Sequence, residues 1–285
     1  MNPSYREVRD EIVYIGNSLH KPAWMDFDKL DFLGVAGSRL YRVNTSESDW
    51  DFVGIVVPPA WAVFPHLRGI IPGFGRNIQN FEHLSLQHIS SNLFAEVDIT
   101  VYSIVKFFQL AMNGNPNIVD SLFTMDSETV MNTDIWSYLY DNRHLFLSEL
   151  CWHRFKGMMY SHLSRLESSH TKEGRKYLEE RFGYDVKDAY HALRMVLEIT
   201  QILERGTIDF EENAPLLIKV RDGEVRKDDV LEAVHSGLNK ASIIVENKKA
   251  VVPYSPDEWA IKKVLVHCLE MAYGLGLEMF GYNTL

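Results

Sequence analysis

The stretch Val35-Ala-Gly-Ser-Arg-Leu-Tyr-Arg-Val-Asn-Thr-Ser-Glu-Ser-Asp-Trp-Asp-Phe-Val-Gly54 decides the fold class, because it joins a glycine-serine turn to two closely spaced aspartates. An apolar run at 30–36 precedes the turn and predicts a strand. Gly37 permits a sharp change of direction, and Ser38 can cap a short helix that follows. The stretch therefore predicts a strand, a turn and a short helix.

Two further strands carry carboxylates. Residues 49–57 are rich in β-branched and aromatic side chains and end at a pair of prolines, so they predict a second strand. Because side chains alternate along a strand, Asp49 and Asp51 are expected to project to the same face. Residues 96–102 predict a third strand, in which Asp98 lies on the opposite face from the apolar residues beside it.

The rest of the chain is mainly helical in pattern. Apolar residues recur at helical spacing at 5–18, 103–112, 116–124, 134–147, 149–168, 172–182, 185–205 and 256–280. Residues 58–91 read as irregular loop with a short strand near 82–88, and residues 208–252 show weaker periodicity. The pattern predicts an α+β protein, with a small mixed-sheet domain at 1–130 followed by a mainly α-helical domain at 131–285.

Composition narrows the class of protein. The 285 residues are 46% hydrophobic and carry a formal net charge of −10, which disfavours nucleic-acid adhesion through the whole surface. Two isolated cysteines exclude a disulfide framework and match no zinc motif. The N-terminus lacks the pattern of a secretory signal, and no run of about 18 apolar residues occurs. We therefore expect a cytoplasmic protein with no membrane partner.

The paired aspartates need a counter-charge. Ionised carboxylates side by side repel each other, and burial would force one of them to take up a proton. A divalent cation removes that conflict, since Mg²⁺ prefers carboxylate, water and phosphate oxygens. Asp98 can supply a third ligand to the site of Asp49 and Asp51. The Gly37-Ser38 turn supplies backbone N–H groups that favour an anionic phosphate chain.

At this point the residues resemble a known family. Gly37-Ser38, then Ser48-Asp-Trp-Asp51 and the later strand residue Asp98 are similar to the nucleotidyltransferase signature of the DNA polymerase beta superfamily. The resemblance implies a mixed sheet with helices, two bound Mg²⁺ or Mn²⁺ ions, and a nucleoside triphosphate such as ATP as substrate. It implies that Asp49, Asp51 and Asp98 are the catalytic metal ligands.

Two later segments extend the resemblance. Residues 113–123 and 184–194 are similar to motifs of a bacterial and phage branch of that superfamily, whose members are predicted nucleotidyltransferases associated with RNA repair. Two positions depart from the pattern. Arg42 follows Tyr41 where the family tends to have glycine, and Asp120 stands where glutamate is expected.

Four cationic or titratable residues are further candidates for nucleotide binding. Arg39 lies in the first residues after the turn, where it is either a surface charge or a phosphate ligand. Lys187, His191 and Arg194 share one face of a predicted helix. That face either is a solvated polar surface or closes over the nucleotide.

The resulting functional hypothesis is nucleotidyl transfer. A nucleoside monophosphate passes from the triphosphate to an acceptor hydroxyl, pyrophosphate is released, and Asp98 helps to deprotonate the acceptor. The resemblance favours an RNA end, for example that of a tRNA, although the acidic net charge gives RNA no independent support. Two alternatives stay open: transfer to a protein or a small molecule, and a nucleotide-binding regulator without turnover.

Overall fold

A computed structural model describes residues 3–46, 48–69, 81–168 and 173–274, and it shows a mixed sheet surrounded by helices. The five strands are β1 (Phe32–Ala36), β2 (Trp50–Val56), β3 (His83–Ser90), β4 (Glu96–Ser103) and β5 (Thr129–Asn132). They lie in the order β3-β4-β2-β1-β5. β2 and β4 run parallel and the other neighbouring strands antiparallel, which confirms the predicted mixed sheet.

The first half of the described chain contains five α-helices, of which the third lies in the segment predicted to be irregular loop and the other four lie close to predicted positions. They are α1 (Tyr5–Ser18), α2 (Gly37–Leu40), α3 (Ala60–Val63), α4 (Ile104–Met112) and α5 (Pro116–Ser121). Ser4 caps α1 in a reciprocal capping box with Glu7, and Asn115 caps α5 ahead of a proline at its first turn. Local capping chemistry therefore sets the start of α1 and α5, whereas α2 and α3 begin without a side-chain cap.

The remaining helices form most of the chain after β5. They are α6 (Asp134–Asp141), α7 (Glu149–Glu167), α8 (Lys176–Phe182), α9 (Val186–Arg205), α10 (Phe210–Arg221), α11 (Lys227–Glu246) and α12 (Glu258–Tyr273). The weak pattern at 208–252 conceals α10 and α11, since α11 buries only a narrow stripe and α10 contains Pro215. The expected helix 256–280 ends at Tyr273 among the described residues.

The sheet separates two hydrophobic cores. On β2, Phe52 and Val56 pack with α1, while Val53 and Ile55 face the helices that follow β5. This alternation is the period of two that a strand imposes. The helical core is continuous with that second face of the sheet, and a division into domains at residue 130 stays a prediction.

Two expectations from composition can be compared with the described residues. Cys151 and Cys268 are both buried free thiols. Within the described ranges, no helix combines the length and the apolar character needed to cross a membrane.

Candidate active site

Gly37 makes the tightest backbone approach at the end of β1. Its φ is +60°, in the left-handed region where glycine pays no steric cost. A Cβ atom built on it would lie 1.9 Å from Oδ2 of Asp51. Two independent constraints therefore require glycine at this position.

Ser38 is not a helix cap, contrary to the expectation from sequence. Ala36 is the N-cap residue of α2 and makes no side-chain capping bond, because the helix begins at Gly37 itself. Ser38 lies in the first turn, and its carbonyl accepts a hydrogen bond from the Val43 N–H at 2.9 Å. Ser38 lines a cavity that Asp49 also lines, which is compatible with the predicted phosphate contact.

Asp51 and Asp98 are brought together by the parallel pairing of β2 and β4, in which they are direct register partners. Both lie on the face of the sheet that looks toward the helices, since their alternating neighbours pack on the α1 side. The sequence predicted that each strand would present a carboxylate on one face. It could not predict the pairing, because the two residues are separated by a long connection.

Asp98 is held by the neighbouring edge strand. The backbone N–H of His88 donates to Oδ1 of Asp98 at 2.7 Å. His88 has a φ of +54° and lies where the register of β3 shifts against β4. Such a bulge redirects a backbone group out of the regular ladder. Here it aims an amide at the carboxylate.

Negative charge converges on Asp51. Burial, together with the carboxylates of Asp98 and Asp49, raises the pKa of Asp51 to about 6. Lys187 and Arg39 oppose that rise without cancelling it. Asp49 itself is exposed and directly precedes β2. The arrangement places three acidic side chains in a mutual electrostatic field that a cation would relieve.

The protein side chains alone supply only part of the ligand set that a metal ion needs. In the described ranges, no three His, Cys, Asp or Glu side chains stand close enough to hold an ion by themselves. Mg²⁺ is commonly held by only one or two carboxylates and completes its shell with water and substrate phosphates. The neighbouring pair Asp51 and Asp98 meets that smaller requirement, and the exposed Asp49 lies two residues before Asp51.

Arg39 is tied to the start of β2. Its guanidinium lies 3.9 Å from the ring centre of Trp50, and Nη2 donates to the Ser48 carbonyl at 2.9 Å. Burial lowers the pKa of Arg39, and the Asp51 carboxylate counters this. The side chain thus steadies the segment that carries the paired aspartates, and a contact with phosphate stays a prediction.

Two cavities meet at the carboxylates and share Gly37, Asp51 and His191. The larger, of about 580 Å³, contains Ser38, Asp49 and three cationic side chains, and we call it the cationic cavity. The smaller, of about 400 Å³, contains Asp98 and His162, and we call it the Asp98 cavity. The carboxylate pair therefore stands between two compartments of different charge.

The cations of the larger cavity are Arg181, Lys187 and Arg221. Lys187, predicted from sequence, lines this cavity, and partial desolvation together with the charge of Arg175 lowers its pKa. Arg221 donates to the carbonyl of Val43 and, at 2.9 Å, to the hydroxyl of Ser48. Sequence reasoning missed Arg181 and Arg221, because no local pattern marks residues that approach the site only in the fold.

His191 lies where the two cavities meet. Its ring stacks on His162 with centroids 5.0 Å apart and lies 4.2 Å from that of Tyr190. Burial and the nearby Arg194 guanidinium lower its pKa well below the usual range. It is therefore a neutral ring at physiological pH, able to form hydrogen bonds but not to supply a positive charge.

Arg194 occupies a buried ion cluster rather than a solvated face. Its Nη1 lies 2.5 Å from Oδ2 of Asp120 and 2.9 Å from Oε2 of Glu198, and its guanidinium covers the ring of Tyr41 at 3.9 Å. The Tyr41 hydroxyl also donates to Asp120 at 2.9 Å. With 2% of its side chain exposed, Arg194 reaches only the edge of the Asp98 cavity. Its role toward the nucleotide stays a prediction.

Arg42 keeps the backbone path that glycine would follow. Its φ is +59°, so the chain still makes the left-handed turn after Tyr41. Such a conformation costs a non-glycine residue roughly 1–2 kcal/mol. The guanidinium forms an ion pair with the buried carboxylate of Glu128, which offsets part of that cost. The departure from the family pattern therefore changes a side-chain contact and preserves the turn.

The sequence matches a protein family and a phage protein. A family profile described as "RNA repair pathway DNA polymerase beta family" matches residues 15–248. An uncharacterized 38.9 kDa protein in the nrdC-mobD intergenic region of Enterobacteria phage T4 is 30% identical over 184 residues. That alignment covers 63% of this chain and 46% of the phage protein, so the chain spans about half the length of that curated relative.

The chain also matches a solved structure. It is a nucleotidyltransferase-like protein from Exiguobacterium sibiricum 255-15, with a TM-score of 0.28 and 12% identity, and it covers 77% of this chain and 70% of that one. The family profile covers most of the present chain, including both carboxylate strands and α9. The chain therefore belongs to the RNA repair pathway DNA polymerase beta family, a family of nucleotidyltransferases.

Proposed function

We propose that the chain transfers a nucleoside monophosphate from a nucleoside triphosphate to a hydroxyl at an RNA end and releases pyrophosphate. One observation carries the proposal: Asp51 and Asp98 are register partners where two cavities meet. One is the cationic cavity, and the only Lys or Arg that the described residues contribute to the other is the ion-paired Arg194. A triphosphate carries several negative charges, and an attacking hydroxyl carries none. The two compartments match those two reactants.

The triphosphate belongs in the cationic cavity. Arg181, Lys187 and Arg221 supply positive charge there, and Ser38 supplies a hydroxyl at the turn. Tyr177, which is 60% exposed, lies in the same cavity and can stack on a base. Charge-assisted hydrogen bonds from such cations are the usual means of holding phosphates.

The proposed reaction balances as follows. The acceptor oxygen forms a bond to the α-phosphorus, the bond from that phosphorus to the bridging oxygen of the β-phosphate breaks, and pyrophosphate leaves. The proton of the acceptor hydroxyl goes to the carboxylate of Asp98, which the His88 amide holds in place. Asp49, Asp51 and Asp98 would hold Mg²⁺ or Mn²⁺, which would neutralise charge developing on the phosphoryl oxygens.

A transfer assay tests the proposal. The purified protein is incubated with each labelled nucleoside triphosphate, Mg²⁺ or Mn²⁺, and short RNA oligonucleotides or tRNA. Label should pass to RNA, and Asp51→Asn and Asp98→Asn should each lower the rate at least about a hundredfold. Asp10→Asn, at an exposed position on α1, is the matched control. Label that passes to protein or to a small molecule, or undiminished transfer by the two site variants, would refute the proposal.

A further inference from the structure

We propose that His162, oriented by Asp188, binds the second hydroxyl of a vicinal diol on the acceptor and so selects a ribose end. The inference rests on the proposed nucleotidyl transfer and adds a specificity-determining residue to it. Neither His162 nor this selectivity was suggested by the sequence. The observations that carry it are a buried carboxylate, a short hydrogen bond and the charge of one cavity.

Asp188 on α9 is a fully buried carboxylate surrounded by donors from α7 and from the segment before α8. Nδ1 of His162 lies 2.7 Å from Oδ1, and Arg165 donates to both carboxylate oxygens, with Nε 2.7 Å from Oδ2 and Nη2 2.9 Å from Oδ1. Arg175 adds a longer contact of 3.3 Å. Burial acts to raise the pKa of Asp188, but hydrogen bonds from Arg165 and His162 outweigh it and hold that pKa well below its usual range.

The ionised carboxylate decides the tautomer of His162. A carboxylate can only accept hydrogen bonds, and two unprotonated acceptor atoms would repel each other at 2.7 Å. Nδ1 must therefore carry the proton that lies between it and Asp188. Arg165 Nη2 is 2.9 Å from Nδ1 as well, but its N–H has Oδ1 of Asp188 as an acceptor at the same distance. In the neutral form of the ring this leaves a lone pair on Nε2.

Nε2 is the ring atom available to a ligand. His162 lines the Asp98 cavity, its side chain is 17% exposed, and Nδ1 is already used. A lone pair accepts a hydrogen bond from a hydroxyl and repels a phosphate oxygen. The same cavity contains no other free charge that would favour phosphate, since Arg194 is its one Lys or Arg among the described residues and is paired with Asp120 and Glu198.

The partner of Nε2 differs from the reacting hydroxyl. A hydroxyl has one proton, and the proposed reaction delivers that proton to Asp98 on the sheet side of the cavity. His162 belongs to α7, on the helical side. Its lone pair therefore needs a second donor on the acceptor. A ribose end provides a hydroxyl on the adjacent carbon, whereas a deoxyribose end or a serine side chain does not.

The test uses short RNA oligonucleotides whose last residue is a ribonucleotide, lacks the 2′-hydroxyl, or lacks the 3′-hydroxyl. The oligonucleotide that lacks the reacting hydroxyl, whichever of the two it is, should accept no label. The oligonucleotide that lacks the neighbouring hydroxyl should have a kcat/KM at least about tenfold lower, because it loses the hydrogen bond to His162. Equal rates with and without the non-reacting hydroxyl would overturn the inference and leave the transfer reaction intact. No transfer to any RNA would overturn both.

Variants locate the effect at His162. His162→Phe should lose the discrimination by slowing only the ribose acceptor, while His153→Phe, at an exposed position on the same helix, should retain it. His162→Asn, whose amide can still donate to Asp188, serves if the phenylalanine variant fails to fold. It should show the same loss, chiefly as a higher KM for the acceptor.

A measurement without turnover tests the tautomer itself. Imidazole ¹⁵N spectra of the wild-type protein should show the proton of neutral His162 on Nδ1, and Asp188→Asn should increase the other tautomer. A proton on Nε2 in the wild-type protein would overturn the inference. If His162 had only a structural role, a change of its tautomer would not alter the difference in rate between the two acceptor ends.

Discussion

Gly37 and Asp51 approach each other so closely that a Cβ atom on Gly37 would lie 1.9 Å from Oδ2 of Asp51. The turn and the carboxylate therefore share one small volume. Any side chain at position 37 must displace a group that the proposed reaction needs in place. Glycine is therefore required at position 37 both by the backbone conformation and by the space that the Asp51 carboxylate occupies.

Gly37→Ala should lower nucleotidyl transfer at least about a hundredfold, because displacement of a reacting group by about 1 Å has that order of effect. Gly183→Ala is the control, since Gly183 has a φ of +81° but no atom within 4 Å of an added Cβ. Both variants should lose roughly 1–2 kcal/mol of unfolding free energy from the left-handed backbone. Transfer rate and chemical denaturation are measured on both, and equal activity in the two would refute the constraint.

Metal binding should depend on the nucleotide. Two neighbouring carboxylates make a weak site by themselves, and triphosphate oxygens complete it. We expect Mn²⁺ to bind at least about tenfold more tightly in the presence of a non-reacting triphosphate analogue, as measured by calorimetry. Asp51→Asn should remove that gain and Asp10→Asn should not. Tight Mn²⁺ binding by the free protein would contradict the expectation.

In the cluster around Arg194, we expect Asp120 to be the ionised partner of the guanidinium and Glu198 to be protonated. Burial raises the pKa of Glu198 well above its usual range and also raises that of Asp120. We predict from the direction of these shifts that Glu198, rather than Asp120, takes up a proton, so that Glu198→Gln should cost less than about 1 kcal/mol. Arg194→Met leaves Asp120 without its cation and should cost about 3–5 kcal/mol. Urea denaturation compares the two, and a reversed order would show that Glu198 is charged.

The free energy of unfolding should also depend on the ionisation of Asp31. Burial raises its pKa to about 6, even though the Val57 amide and the Thr133 hydroxyl stabilise the charged form. A carboxyl whose pKa is higher in the folded state contributes stability below its unfolded pKa of about 4 and loses it as pH rises through about 6. Asp31→Asn should therefore be more stable than wild type at pH 7.5, by about 1–2 kcal/mol after allowance for solvent screening.

That advantage should vanish at about pH 3, below both pKa values, where Asp31 is protonated in the folded and the unfolded state. Thermal unfolding of wild type and Asp31→Asn across this range measures the difference. Asp10→Asn, on the exposed surface of α1, controls for a general change of net charge. A difference that is constant with pH would exclude the ionisation of Asp31 as its cause.

Local signals in the sequence were sufficient for much of the fold. Capping residues and apolar periodicity marked α1, α4, α5, α7 and α9. An apolar run marked β1, β-branched and aromatic residues marked β2, and alternation marked β4. β5 was missed because it has only four residues and its side chains are only partly buried. Two helices at 210–246 were missed because charged residues surround a narrow buried stripe.

The sequence by itself determined the chemistry of the site: a glycine that must turn, a serine beside it, and carboxylates on alternate positions of two strands. Because side chains alternate along a strand, Asp51 and Asp98 must lie on the face opposite their apolar neighbours, independently of the tertiary structure. Tertiary structure alone decided which strands pair, and so made those two residues neighbours. It also placed Arg181, Arg221 and the His162–Asp188 pair around them, because burial and packing join residues that share no local pattern.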